Sequence, residues 1–235
     1  MKKFLYRVNN GYGDHIICKG IYNQIPKEYD KIIIFVEDVR QKNSLKFLYD
    51  YRAELVTKEE FDELYSNHQL DDITEKDCFL SGFEYCGVFD KYRTKWNPYY
   101  GKNFLEQFYN QVNLPVYLSW TAFDIGYRDV LTENQLLQLS YTSTIFIHDC
   151  PLRNFIIKDE YKIGRKYIFP YTNITNNIFN WIPVLQRCKE IHCIDSCFSN
   201  LADRIQLRPD VKLYLHNYAK KWQLPTLKKK WTIIN

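Results

Sequence analysis

The sequence predicts an α/β protein with a parallel β-sheet in each half of the chain. Apolar runs typical of buried parallel strands alternate with segments of helical spacing. This alternation occurs twice, and the two patterns are separated near residues 115–140 of the 235-residue chain. We therefore predict an N-terminal domain at residues 1–125 and a C-terminal domain at residues 126–235.

The first half opens with a predicted strand at residues 2–8, which ends at Asn-Asn-Gly. A helix follows, because Ile17, Ile21 and Ile25 recur at helical spacing, and Pro26 ends it. The run of β-branched residues at 30–38 is typical of a buried parallel strand. Further strands are predicted at residues 53–57 and 77–83, and further helices at 44–51 and 58–68.

The middle and the second half continue the pattern. A helix is predicted at residues 103–115, with Phe104, Phe108 and Val112 on one face, and a strand at 115–120. The second half has predicted strands at residues 143–150, 166–172, 190–196, 211–218 and 230–235, and predicted helices at 178–188 and 197–205.

The composition excludes several classes of protein. A hydrophobic fraction of 46% indicates a folded globular chain. The net charge of +4 suits a small anionic ligand and is too weak to indicate a nucleic-acid surface. No apolar run approaches the roughly 20 residues that span a bilayer. Seven cysteines, an odd number, predict reduced thiols and a cytoplasmic protein.

The loop after the first strand is the first candidate site. Gly11 and Gly13 allow positive φ or close backbone approach, and a helix beginning at Asp14 would aim its N–H groups at an anion. One interpretation is structural, with Asp14 as the helix N-cap. In another, the Asp14 carboxylate takes a proton from a sugar hydroxyl, and His15 either assists or is a solvated first-turn residue.

A dinucleotide loop is a third interpretation. It requires G-x-G-x-x-G and an acidic residue on the second strand. Glu37 and Asp38 supply the acidic residue, but Ile16 stands where the third glycine belongs. The carboxylate of Asp14 would also repel a pyrophosphate, so this pattern is weak.

Two stretches resemble a known family. "NGYGDHIICKGI" resembles the G-x-G-D loop of GT-B-type glycosyltransferases, in particular those related to ADP-heptose–lipopolysaccharide heptosyltransferases. "IHCIDSCFSNLADRI" is similar to their donor-site segment, D-[ST]-x-x-x-H-L-A, except that Asn200 replaces the histidine. "FYNQVNLP" and "FIHDCPLRNF" resemble segments of small bacterial and viral glycosyltransferase-like proteins.

The resemblance implies two Rossmann-like halves that face a cleft. It implies an N-terminal half that binds the acceptor, a C-terminal half that binds a nucleotide-diphosphate sugar, and Asp14 as the base of an inverting transfer. Gly11 and Gly13 are placed among the donor-binding residues.

The second half contains the other donor-site candidates. Ser196 and Ser199 lie in the first turn after a strand, where hydroxyls and a helix N-terminus suit a phosphate, and Asp195 ends that strand. The alternative is a plain serine N-cap.

Positively charged candidates lie after two other strands. Arg153 can hold a diphosphate bidentately, although pairing with Asp149 or simple exposure is an equal alternative. By analogy with a His-x-Arg loop in fucosyltransferase-like enzymes, His148 joins it. Lys220 and Lys221 can offset phosphate charge.

We therefore predict a glycosyltransferase that moves a sugar from a nucleotide-diphosphate sugar to a hydroxyl of a glycan or glycolipid. No zinc site is predicted, because Cys188, Cys193, Cys197 and His192 lack the necessary spacing. No D-x-D motif stands at a strand end, so the predicted transfer is metal-independent, and no cofactor is predicted. No basic stripe interleaved with aromatic residues indicates a nucleic-acid partner. The alternatives are an inactive binding module of the same fold and a dinucleotide-binding enzyme.

Overall fold

A computed structural model describes residues 1–8, 11–80, 104–140, 144–171, 173–218 and 225–235. The chain divides into two compact units, Met1–Tyr127 and Arg128–Asn235. Each unit contains one sheet, and every strand pair in the described residues is parallel. The predicted fold class, α/β with a parallel sheet in each half, is confirmed.

The first unit is a four-stranded sheet with helices. Its elements are β1 (Lys3–Arg7), α1 (Tyr12–Tyr22), β2 (Lys31–Phe35), α2 (Val39–Leu45), β3 (Ala53–Val56), α3 (Lys58–Ser66), β4 (Cys78–Leu80), α4 (Phe104–Gln111) and α5 (Leu118–Thr121). A 3-10 turn at Glu75–Asp77 precedes β4. The strand order is β3-β2-β1-β4. Four of the five residues in β1 and in β2 are buried, as expected of parallel strands covered on both faces.

Helix α1 packs closely against α4 and α5, the last two helices of the first unit. A Cβ at Gly20 would lie 2.3 Å from the Leu118 carbonyl oxygen and 2.5 Å from Tyr109 Oη. The Ile17 carbonyl accepts hydrogen bonds from Tyr109 Oη (2.9 Å) and Ser119 Oγ (2.7 Å). Glycine is therefore required here for close approach, with no need for an unusual φ.

A buried lysine adds a second tie between α1 and the stretch after α5. Lys19 Nζ donates to Asp124 Oδ1 at 2.6 Å and to the Asn23 side chain. Burial lowers the pKa of Lys19, and the hydrogen bond that Lys19 donates to Asp124 opposes this shift. Asn23 Nδ2 also donates to the Ala122 carbonyl at 2.6 Å. These contacts attach the C-terminal half of α1 to the segment that follows α5.

The second unit is a five-stranded sheet. Its elements are α6 (Val130–Leu139), β5 (Ile145–His148), β6 (Tyr167–Ile168), α7 (Ile182–Arg187), β7 (Glu190–Ile194), α8 (Cys197–Arg204), β8 (Lys212–His216) and β9 (Trp231–Ile234), with 3-10 turns at Pro151–Arg153, Asp159–Tyr161 and Ile178–Trp181. The order is β6-β5-β7-β8-β9. Numbered within the unit, this is 2-1-3-4-5.

Asp203, a buried residue in α8, holds the segment that leads into β9. Its carboxylate accepts the backbone N–H groups of Lys228 and Lys229, both at 2.9 Å, and the indole N–H of Trp231 at 3.0 Å. Hydrogen bonds to a charged acceptor are stronger than those between neutral groups. The last strand is thus attached to α8 as well as to β8.

Two predictions of secondary structure were wrong, and one helix was missed. The helix predicted at residues 44–51 is α2, which begins at Val39 because Asp38 caps it by accepting the Gln41 N–H at 2.7 Å. The strand predicted at residues 115–120 includes the helical turn α5. Helix α6 was not predicted. Of the strand predicted at residues 77–83, residues 81–83 lie outside the described residues.

The close contact at Gly20 gives a prediction about stability. Helix propensity alone favours Ala over Gly by about 1 kcal/mol. In Gly20→Ala the new methyl meets the Leu118 carbonyl, so we expect a loss of about 1–3 kcal/mol, as for overpacked core sites. Urea unfolding of the variant and of the parent protein measures the change, and a gain in stability would contradict the packing described.

Candidate functional site

Each sheet has one point at which the strand order changes direction. In the first unit, β2 and β3 lie on one side of β1, and β4 lies on the other. In the second unit, β6 lies on one side of β5, and β7, β8 and β9 lie on the other. Ligands of open α/β sheets bind beyond the carboxyl ends of the strands at such a point. The N-termini of α1 and α8 are therefore the two candidate ligand sites.

The start of α1 differs from the sequence-based expectation. Gly11 is the N-cap, with φ −97° and ψ 149°, and α1 begins at Tyr12. Gly11 does not use the positive φ that glycine allows, and the helix expected to begin at Asp14 begins two residues earlier. Asp14 does cap the helix, but from its third position and not as the N-cap. Asp14 is the third helical residue, partly exposed, and its Oδ2 accepts the Gly11 N–H at 3.2 Å. This return bond places the carboxylate at the carboxyl edge of the sheet.

His15 lies in the core. It is 1% exposed, and its Nδ1 is 2.7 Å from Tyr49 Oη. Burial lowers the pKa of His15 to about 3, so the imidazole is neutral at pH 7. The expectation of a solvated first-turn residue is wrong, and a catalytic role for His15 stays a prediction.

The groups required for a dinucleotide loop have other roles. Ile16 is fully buried in α1. Asp38 caps α2, and the Glu37 N–H donates to Gln41 Oε1 at 2.6 Å. The carboxylate expected on a ribose is thus used within the protein, which does not favour the dinucleotide interpretation.

The start of α8 has an unusual arrangement of its serine hydroxyls. Ser196 is the N-cap and forms a capping box with Ser199, and its hydroxyl also lies 2.9 Å from His148 Nδ1. The Ser196 N–H donates to Ser199 Oγ (3.0 Å), and that hydroxyl donates to the Ser196 carbonyl (2.8 Å). Ser199 is fully buried. Its hydroxyl hydrogen is therefore used inside the turn, whereas Ser196 is partly exposed.

This arrangement suits an anion. The first N–H groups of a helix lack partners within the helix, and a serine N-cap ordinarily accepts one of them. The Ser196 hydroxyl, which also bonds to His148, stands beside the donors that remain. The positive end of the α8 dipole adds to their attraction for a negative group.

His148 and Arg153 lie close to this helix start. Burial first, and the charge of Arg153 second, lower the pKa of His148 to about 4. Arg153 is exposed, its Nε donates to Cys150 Sγ at 3.3 Å, and its guanidinium lies 5.4 Å from the Phe155 ring centroid. Asp149 is buried and instead lies 3.7 Å from Lys162 Nζ. The guanidinium of Arg153 therefore places a positive charge near the start of α8.

The remaining predicted residues have less detail. Asp195 is partly buried in the turn between β7 and α8. Lys220 and Lys221 lie outside the described residues. Within those residues, six cysteines are free thiols, and no group of three or more His, Cys, Asp or Glu side chains is placed to hold a metal ion. No helix there has the length and apolarity to cross a membrane.

The sequence did not predict a row of bonded polar side chains that crosses the second sheet. Arg165 bonds to Glu190 Oε2 (2.6 Å), which lies 3.4 Å from His192 Nε2, and His192 Nδ1 lies 3.0 Å from His216 Nε2. His216 Nδ1 is 3.1 Å from Tyr218 Oη. Burial lowers the pKa of both histidines, that of His216 to about 3. The alternation of side chains along each strand shows which residues share a face of the sheet. It does not show which residues of two strands are neighbours, because that depends on the register between the strands.

Among solved structures, a glycosyl transferase family 9 protein from Veillonella parvula DSM 2008 is similar to this chain. The TM-score is 0.64 at 11% sequence identity, and the match covers 99% of this chain and 86% of that one. This chain has a GT-B fold. No protein-family profile matches the sequence, and no curated protein is significantly similar to it.

The similarity concerns the fold, because 11% identity carries no residue roles. In a GT-B fold, the carboxyl edges of both sheets are the places for ligands by the general rule for open α/β sheets. Both candidate sites, at Asp14 and at Ser196, occupy these edges.

The burial of His15 predicts how stability depends on pH. Between about pH 6.5 and pH 3 the unfolded chain binds a proton at this residue that the folded chain does not. The free energy of unfolding must therefore fall as the pH falls through this range. The contribution approaches about 1.4 kcal/mol per pH unit for one proton.

Urea unfolding at several pH values between roughly 4.5 and 6 tests this, since His is the side chain that ordinarily titrates there. The plot of unfolding free energy against pH has a slope set by the number of protons taken up on unfolding. We expect His15→Gln to lower that number by nearly one. His68→Gln, at an exposed histidine, is the control and should leave the slope unchanged. An unchanged slope in His15→Gln would show that His15 is not buried as a neutral group.

Proposed function

We propose that this protein is a glycosyltransferase that moves a sugar from a nucleotide-diphosphate sugar to a hydroxyl of a glycan or glycolipid. The observation that carries the proposal is the start of α8. There, the first N–H groups of the helix, the Ser196 hydroxyl and the nearby charge of Arg153 lie at the switch point of the second sheet of a GT-B fold. Groups of this kind attract an anion, and they lie where open α/β sheets bind their ligands.

In this proposal the donor diphosphate lies against the first turn of α8. The N–H groups and the Ser196 hydroxyl donate to its oxygens, and Arg153 adds charge-assisted bonds. Ser199 shapes the turn, because its hydroxyl already donates to the Ser196 carbonyl. Donor contacts from Asp195, Lys220, Lys221, Gly11 and Gly13 remain predictions.

The acceptor hydroxyl lies against Asp14. Its carboxylate, held by the Gly11 N–H, takes the hydroxyl proton as the oxygen attacks the anomeric carbon of the donor. The bond from that carbon to the diphosphate breaks, and the electron pair leaves with the diphosphate, so the configuration inverts. Preorganised N–H groups stabilise the charge that develops on the leaving group. His15 lies in the core beside Tyr49, and a catalytic role for it remains a prediction.

A metal-independent transfer is part of the proposal. The counter-charge that a divalent cation would supply comes from the α8 dipole and Arg153. A cytoplasmic location and the absence of a cofactor remain predictions.

A thermal-shift screen is the first test. UDP-, GDP-, ADP- and dTDP-sugars, CMP-sugars and NAD are added to the purified protein, since a ligand of the native state raises the melting temperature. We expect a shift with one nucleotide sugar. A shift with NAD alone would favour a dinucleotide-binding enzyme, and no shift from a folded protein would contradict the donor site.

Two variants separate binding from chemistry. Asp14→Asn should lower turnover by about 10²–10⁴-fold, the usual contribution of general base catalysis, and leave donor affinity nearly unchanged. Arg153→Ala should weaken donor binding by roughly tenfold, as expected for a charge-assisted hydrogen bond.

Matched controls are available for both variants. Asp71→Asn removes an exposed carboxylate from another part of the first unit, and Arg208→Ala removes a positive charge paired with Asp210. Neither should change binding or turnover. A donor that binds without turnover, in parent and Asp14→Asn alike, would indicate the inactive binding module instead.

A further inference from the structure

The hydrogen bond between His148 and Ser196 joins the two strands that flank the switch point of the second sheet. His148 ends β5, and Ser196 follows β7, its neighbour in the sheet. The ring of His148 packs against Phe198 with centroids 4.7 Å apart and near Tyr171 at 6.2 Å. The imidazole therefore packs among aromatic rings while its Nδ1 lies 2.9 Å from the Ser196 hydroxyl.

Two arrangements of hydrogen satisfy this bond. If Nδ1 carries the proton, His148 donates, Ser196 Oγ accepts, and the serine hydrogen is available to another group. If Nε2 carries the proton, Ser196 donates to Nδ1 and presents only lone pairs to the site. An anion at the start of α8 is attracted by a hydroxyl hydrogen and repelled by lone pairs. Binding of an anion therefore requires the first arrangement.

We propose that His148 is a positioning residue that donates from Nδ1 to Ser196 and so turns the Ser196 hydroxyl hydrogen toward the diphosphate of the donor. This inference rests on the proposed function, and it assigns His148 a role through Ser196 in place of direct contact with the donor. Because Ser196 is also the N-cap of α8, the hydroxyl that His148 orients stands beside the first N–H groups of the helix.

The burial of His148 agrees with this role. Its lowered pKa, about 4, keeps the imidazole neutral at pH 7, and only a neutral ring has the two tautomers between which the site selects. In metal sites, a hydrogen bond at the second ring nitrogen fixes the tautomer and the orientation of a histidine in the same way.

A double-mutant cycle tests the proposal. The affinities of UDP, GDP, ADP and inorganic pyrophosphate are measured by calorimetry for the parent protein, His148→Phe, Ser196→Ala and the double variant. We expect each single variant to weaken binding about tenfold, the usual loss for a hydrogen bond to a charged group. The double variant should bind no more weakly than Ser196→Ala, because residues that act as a unit are non-additive.

His148→Asn is the conservative variant. Its amide N–H stands near the position of Nδ1, so it should recover most of the affinity lost in His148→Phe. A residue with a purely structural role would show no such recovery. Nitrogen-15 spectra of the parent protein provide an independent measurement, and we expect His148 to be protonated at Nδ1 with pyrophosphate bound.

The outcomes are distinguishable. Additive losses, an unchanged affinity in His148→Phe, or protonation at Nε2 would overturn the positioning role and leave the donor site in place. If the folded parent protein binds none of the four compounds, the donor site itself fails, and the role of His148 fails with it.

Discussion

Parallel pairing of the strands is the constraint on which the rest of this structure depends. A parallel pair needs a crossover that returns the chain to the same edge, so all carboxyl ends collect on one side of a sheet. In the second unit this brings His148 and Ser196, 48 positions apart, to a hydrogen bond of 2.9 Å. In the first unit it places α1, with Asp14 in its first turn, after the central strand β1. Both candidate sites are consequences of this geometry.

The start of α8 uses its two serines differently. Ser196 is the N-cap, and its hydroxyl also bonds to His148. The first turn is secured by Ser199, whose buried hydroxyl bonds to both backbone groups of Ser196. Ser199 therefore orders the turn, whereas the hydroxyl of Ser196 remains partly exposed. Rigid, preoriented donors are what stabilise charge on a leaving group.

Local sequence signals predicted those elements that depend on local physics. The β-branched run of β2 and the serine, apolar and charged pattern of α8 each specify one element, and both were confirmed. Helix α2 was misplaced because Leu45 and Leu48 repeat at helical spacing, whereas the cap at Asp38 sets an earlier start. The bond between His148 and Ser196 was beyond sequence reasoning, because it depends on the register of β5 against β7. The burial of His15 against Tyr49 likewise depends on packing between distant segments.

A crystal structure with a bound nucleoside diphosphate tests the central claim most directly. The account predicts diphosphate oxygens within hydrogen-bond distance of Ser196 Oγ and of the first N–H groups of α8, beyond the carboxyl ends of β5 and β7. A diphosphate bound with no contact to Ser196 or to the first turn of α8 would contradict the account, because that turn is the proposed donor site.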